Sequence, residues 1–99
     1  MSLPKNIDWS IYTPFQQKVL KYICGIPAGK VMTYAQVAKA IGHPKAARAV
    51  GNALSQNRHA PQVPCHRVVS YNGMGGYSGR GGLNGKIKLL KKEGYILKP

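Results

Sequence analysis

The segment PQVPCHRVVS, Pro61 to Ser70, sets Cys65 directly ahead of His66 and Arg67. These are the residue types that nucleophilic chemistry needs. A thiol attacks only as the thiolate, and a free thiol with a pKa of about 8.5 is a few per cent ionised at neutral pH. A cationic surround favours the ionised form, and Arg67 together with the charge of the whole chain would supply one. His66 is the candidate general base. Neighbouring side chains of an extended segment point to opposite sides, however. A direct Cys65–His66 contact therefore does not follow, and proton transfer would need a water or a turn. On spacing alone Cys65 is equally a nucleophile or a buried structural thiol.

The other cysteine, Cys24, lies beside an apolar stripe and reads as a small packed hydrophobe. Two distant cysteines and three scattered histidines fall short of the four ligands of a zinc site, so no metal is expected. The start, MSLPKNIDWS, lacks the apolar run of a secretory leader. No stretch approaches the ~20 apolar residues of a membrane span. Reduced thiols in a cytoplasmic or nucleoid setting, with no membrane association, are the expectation.

With 99 residues the chain has room for one small domain, and 43% hydrophobic content is enough for a modest core. Fifteen Lys and Arg stand against two acids, a formal charge of +13. An imbalance that large points to nucleic acid, because each phosphate neutralised releases condensed counterions.

Several elements must position the Cys65 segment. Residues 1–13 show no periodicity and read as an extended lead-in. From Pro14 the spacing of Phe15, Val19, Ile23 and Ile26 predicts an amphipathic helix that IPAGK breaks. Thr33 and Gln36 form a capping box for a second helix, with Val37, Ala38 and Ile41 on its inner face and Gly42 at its end. Pro44 suits the first position of a third helix through KAARAVGNALSQ, with Ala47, Val50 and Leu54 inward. The two short helices make a helix-turn-helix candidate. Ala46, Ala49, Gly51 and Ala53 leave the third helix nearly bare around Arg48. That face suits either close approach to a ligand or tight helix packing. After Asn57 the chain reads as coil and short extended segments. A Gly-rich loop, YNGMGGYSGRGG, then precedes a last helix capped by Asn84, with Ile87 and Leu90 inward and Gly94 as its stop.

PCHRVV, preceded by TYAQVA and PKAARAVGNAL and followed by GYSG and LLKKEG, resembles the O6-alkylguanine-DNA alkyltransferases, the methylated-DNA–protein-cysteine methyltransferase family. The likeness runs in order from about Thr13 to Pro99. It implies a mainly α, winged helix-turn-helix-like domain over residues 14–99, with the Gly-rich loop as a pocket wall. Such a domain docks in the minor groove of double-stranded DNA carrying O6-alkylguanine and flips the damaged base out. It moves the alkyl group irreversibly onto Cys65, in a single turnover, as a monomer and without a cofactor.

By the same resemblance His66 is the base through a water, oriented by Glu93, and Asn57 is a buried hinge. Arg48 fills the gap left by the flipped base, and Tyr34 crowds the target phosphate. Tyr77 and Ser78 donate to the base, and the carbonyls of Cys65 and Val68 read its exocyclic amine. The implied DNA contacts are Thr33, Tyr34, Ala46, Ala47, Arg48, Gly51, Asn52 and Arg67. Two departures from the family pattern are expected: the lack of the amino-terminal domain usual in the family, and two extra residues within GRGG. The rival within the same fold is an alkyltransferase-like protein that flips the lesion without repair and recruits nucleotide-excision repair. Its members typically replace the cysteine, which is present here. A plain winged-helix regulator would need neither Cys-His pair nor pocket loop.

Overall fold

The computed structural model describes residues 3–70, 73 and 82–95. Its first helix, α1, spans Pro14–Ile23 and starts where Thr13 closes a capping box. The Thr13 hydroxyl accepts from Gln16 N, and the Gln16 side chain accepts from Thr13 N. Val19, Leu20 and Ile23 carry its buried face. The lead-in is less extended than expected. Asp8 caps a 3-10 turn at Trp9–Ile11, and Tyr12 is buried behind it. The Tyr12 hydroxyl accepts from Arg58 N at 2.9 Å and pairs with His59 Nδ1 at 2.6 Å, which ties this segment to the stretch ahead of Cys65.

A short strand, β1 (Met32–Thr33), leads into α2 (Tyr34–Ala40) through the expected Thr33–Gln36 capping box. Gly42, at φ +85°, turns the chain in the left-handed region that favours glycine. The helix α3 covers Ala47–Ser55, three residues later than Pro44 suggested. His43 to Ala46 instead close a turn, with Ala46 N donating to the His43 carbonyl, so Pro44 lies in the turn. Val50, Ala53 and Leu54 are the buried residues of α3, and Ala47 is only partly covered. Both α1 and α2 pack on α3. The arrangement is a helix-turn-helix built on a third helix.

The strand β2 (Val68–Val69) pairs in parallel with β1, Met32 opposite Val68 and Thr33 opposite Val69. This pairing locks the segment after the cysteine to the start of α2. The last helix, α4, spans Gly82–Lys92, so Asn84 lies inside it and does not cap it. Lys86 and Leu90 are its buried residues, while Ile87 is half-buried. Gly94, at φ +91°, ends the helix as expected. Gly94 N donates to the Lys91 carbonyl and Tyr95 N to the Leu90 carbonyl, the paired bonds of a Schellman stop. The core gathers Val19, Leu20, Ile23, Val37, Val50, Val63, Val68 and Leu90, all with no exposed surface. No described helix is long and apolar enough to cross a membrane.

Candidate active site

Cys65, His66 and Arg67 do not lie in an extended segment. They wind into a 3-10 turn, closed by Arg67 N on the Pro64 carbonyl and Val68 N on the Cys65 carbonyl. Pro64 removes one backbone donor and fixes φ just ahead of the turn. The turn buries both Cys65 and His66, at 4% and 1% exposure. It also brings them against the end of α4, where His66 Nε2 meets Glu93 Oε2 at 2.9 Å.

That contact settles the proton on the ring. Burial lowers the affinity of His66 for a second proton, with Arg67 and Lys86 adding to the effect, although the bond and charge of Glu93 oppose it. A neutral imidazole carries one N–H, and beside a carboxylate that hydrogen belongs on Nε2. Nδ1 is then the basic nitrogen. Glu93 stays ionised because its bonds from Arg67 hold the carboxyl below the usual range, against the opposing effect of burial.

The Cys65 thiol is pulled in two directions. Burial pushes it up, while a hydrogen bond from Asn57 and the charge of Lys86 pull it down, and burial wins. Asn57 is itself buried, donating from Nδ2 to the Val63 carbonyl at 2.8 Å and accepting from His59 N at 2.9 Å. It thus braces the 57–63 stretch from within. Lys86 was not foreseen. Its side chain is fully buried, its ammonium donates to the Val68 carbonyl at 2.7 Å, and burial lowers its pKa to about 8 even with Cys65 nearby. A cation at the thiol is what a thiolate requires. The sequence held one signal for it, since Lys86 stands four residues before Leu90 and so shares its inward face.

The Val68 carbonyl expected to read the base is thus the one that accepts from Lys86. Cys24 packs against the core as a half-buried thiol donating to the Leu20 carbonyl. Tyr77, Ser78 and the first three residues of GRGG lie outside the described residues.

A second feature faces outward. Thr33, Tyr34, Ala35, Ala47, Arg48, Gly51, Asn52 and Ser70 line an open groove of about 420 Å³. It runs along α2 and α3 and reaches the end of β2. Six of the eight expected DNA contacts line it. Ala46 stands at the start of α3 beside it. Arg67 is the exception: Glu93 and the Ile26 carbonyl take its guanidinium inward, leaving the side chain 17% exposed. Arg48, by contrast, is exposed on the groove.

Residues 14–95 match the family described as 6-O-methylguanine DNA methyltransferase, DNA binding domain. The chain belongs to this family. A methylated-DNA–protein-cysteine methyltransferase of Shigella flexneri is 51% identical over 86 residues, 86% of this chain and 49% of that protein. Among solved structures, Mycobacterium tuberculosis OGT in complex with DNA superposes with a TM-score of 0.79 at 46% identity, over 83% of this chain and 49% of that one. The Schizosaccharomyces pombe ATL in complex with DNA superposes at 0.71 and 36% identity, over 85% of this chain and 79% of that one. The chain spans about half the length of the first two.

Proposed function

We propose that this protein repairs DNA by moving an alkyl group from the O6 atom of guanine onto Cys65. The observation that carries the reading is the His66 Nε2–Glu93 Oε2 bond at 2.9 Å beside a buried cysteine in the same 3-10 turn. In the reaction Cys65 passes its proton through a water to His66, and the imidazolium is stabilised by Glu93. The thiolate sulfur attacks the alkyl carbon; the S–C bond forms as the C–O6 bond breaks. The proton ends on the released guanine, so atoms and charge balance. The thioether product is outside the reach of thiol exchange, which limits each chain to one turnover.

A stacked base cannot present its alkyl carbon to a buried sulfur, so the nucleotide must leave the helix at a cost of a few kcal/mol. The groove along α3 supplies the means. Its small residues Ala47 and Gly51 admit a close backbone approach, which favours the narrow minor groove of double-stranded DNA as its partner. Arg48 is the long side chain that can enter the vacated stack, and Tyr34 stands beside the target phosphate. The +13 charge supplies affinity without sequence preference. The protein works as a monomer and needs no cofactor for this chemistry. The likeness to the S. pombe ATL favours one second reading, binding of the lesion without transfer. Titrating a duplex that holds O6-methylguanine separates them. Repair should rise linearly and stop at one lesion per chain, whereas tight binding with no lesion lost means the second reading holds.

A further inference from the structure

Charge alone would send Arg67 to the DNA surface, yet its guanidinium reaches acceptors from two other parts of the fold. Nε donates to Glu93 Oε1 at 2.9 Å, Nη2 to Glu93 Oε2 at 2.7 Å, and Nη1 to the Ile26 carbonyl at 2.7 Å. A planar fork that meets both carboxylate oxygens sets the rotation of the carboxylate as well as its distance. Oε2 thereby meets Arg67 and His66 together. The loop between α1 and β1 braces the same point from behind. Ile26 belongs to it, and a Cβ on Gly29, which sits at φ +86°, would stand 3.0 Å from the Glu93 carbonyl oxygen.

We propose that Arg67 is a positioning residue for alkyl transfer: it clamps the Glu93 carboxylate in the orientation that keeps the proton on His66 Nε2, so that Nδ1 receives the proton of Cys65. The inference rests on the transfer reaction proposed above. The thiol proton moves to Nδ1 and later to the guanine, and Arg67 and Glu93 end each as they began. Without the fork the carboxylate rotates and the ring exchanges tautomers. A ring with its hydrogen on Nδ1 cannot take the thiol proton. A lysine in its place would keep the charge and lose the fork.

The charged and titratable groups around His66 are Cys65 and Arg67 on its own turn, Lys86 on α4, and Glu93 just after α4. Cys24, at the end of α1, also lies within the influence of Arg67. Loss of the Arg67 cation raises the proton affinity of His66, whereas exchange for lysine leaves that affinity nearer the parent's.

The test uses the full chain and Arg67→Lys, Arg67→Gln, Glu93→Gln and the double variant Arg67→Gln/Glu93→Gln. It measures the saturated single-turnover rate on an O6-methylguanine duplex, its pH profile, the salt dependence of duplex binding, and the His66 tautomer by nitrogen-15 NMR. Both single Arg67 variants should transfer about tenfold slower near neutral pH, since acid–base assistance is what they lose. The acid limb should move to higher pH only in Arg67→Gln. His66 should be the Nε2–H tautomer in the parent and mixed in the variants, and the double variant should be no slower than Glu93→Gln alone. A saturated rate equal to the parent's, with a salt slope about one unit shallower, would mean a phosphate contact and overturn the proposal. An Nδ1–H parent, or additive losses in the double variant, would overturn it too. If Arg67→Gln fails to fold, the parent and Arg67→Lys decide by rate and tautomer. If the parent transfers nothing, the transfer reading fails, while the tautomer and its response to Arg67→Lys still decide the clamp.

Discussion

The buried ammonium of Lys86 donates to the carbonyl of Val68, 2.7 Å away, three residues beyond the cysteine whose ionisation it favours. One side chain of α4 thus holds the β2 end of the reactive turn and supplies the turn with positive charge.

Lys86→Met keeps the length of the side chain and removes the charge. The Cys65 thiol should then titrate at higher pH. Each unit of that rise cuts the thiolate present at neutral pH by about tenfold, and the transfer rate should fall with it. Stability should change by less than about 2 kcal/mol, because the lost charged hydrogen bond is offset by the desolvation the ammonium no longer suffers. Iodoacetamide labelling of Cys65 across pH, read by peptide mass, checks the first point and thermal unfolding the second. An unmoved labelling midpoint would show that Lys86 has no electrostatic part.

Glu93 and His66 both bind protons less readily in the fold than their types ordinarily do. Groups so shifted stabilise the fold fully above their unfolded pKa values, about 6.5 for His and 4.3 for Glu, and lose that contribution as pH falls through the lower folded values. The melting temperature of the parent should therefore fall in two stages, one beginning below about pH 6.5 and one below about pH 4.3. Glu93→Gln should shrink the lower stage to the share of Asp8, whose carboxylate the Ser10 hydrogen bonds also hold below its ordinary range, and keep the upper. An unchanged acid slope in Glu93→Gln would contradict the Arg67–Glu93 ion pair as the source.

Arg48 projects from the groove along α3 and stands apart from the transfer cluster. Arg48→Ala should slow the saturated reaction on duplex DNA by an amount matching a few kcal/mol of unassisted unstacking. Free O6-methylguanine base needs no flipping and should react at close to the parent rate. Single-turnover rates on both substrates check this. A saturated duplex rate equal to the parent's would reduce Arg48 to a phosphate contact.

Periodicity and capping chemistry made α1 and α2 legible, because local bonds such as the Thr33–Gln36 box decide where a helix begins. The starts of α3 and α4 were misplaced. Pro44 and Asn84 both fit helix starts by type, but a turn closing on His43 delays α3, and Gly82 at φ +56° begins α4 earlier. The cysteine was visible as a candidate, whereas its geometry was not. A 3-10 turn of three residues has no period to read, and only tertiary contact brings Glu93 back to His66 across 27 positions. The partners of Arg67 and Lys86 were illegible for a common reason. A charged side chain reads as solvated unless its partner is known, and both partners lie on other elements.

The most direct measurement is the intact mass of the protein after incubation with an excess of duplex DNA containing O6-methylguanine. One methyl group should be gained and no more, mapping by peptide analysis to Cys65, lost in Cys65→Ala and kept in Cys24→Ala. An unchanged mass while the lesion is bound, a second methyl group, or a label on Cys24 would contradict transfer to the His66-assisted thiol.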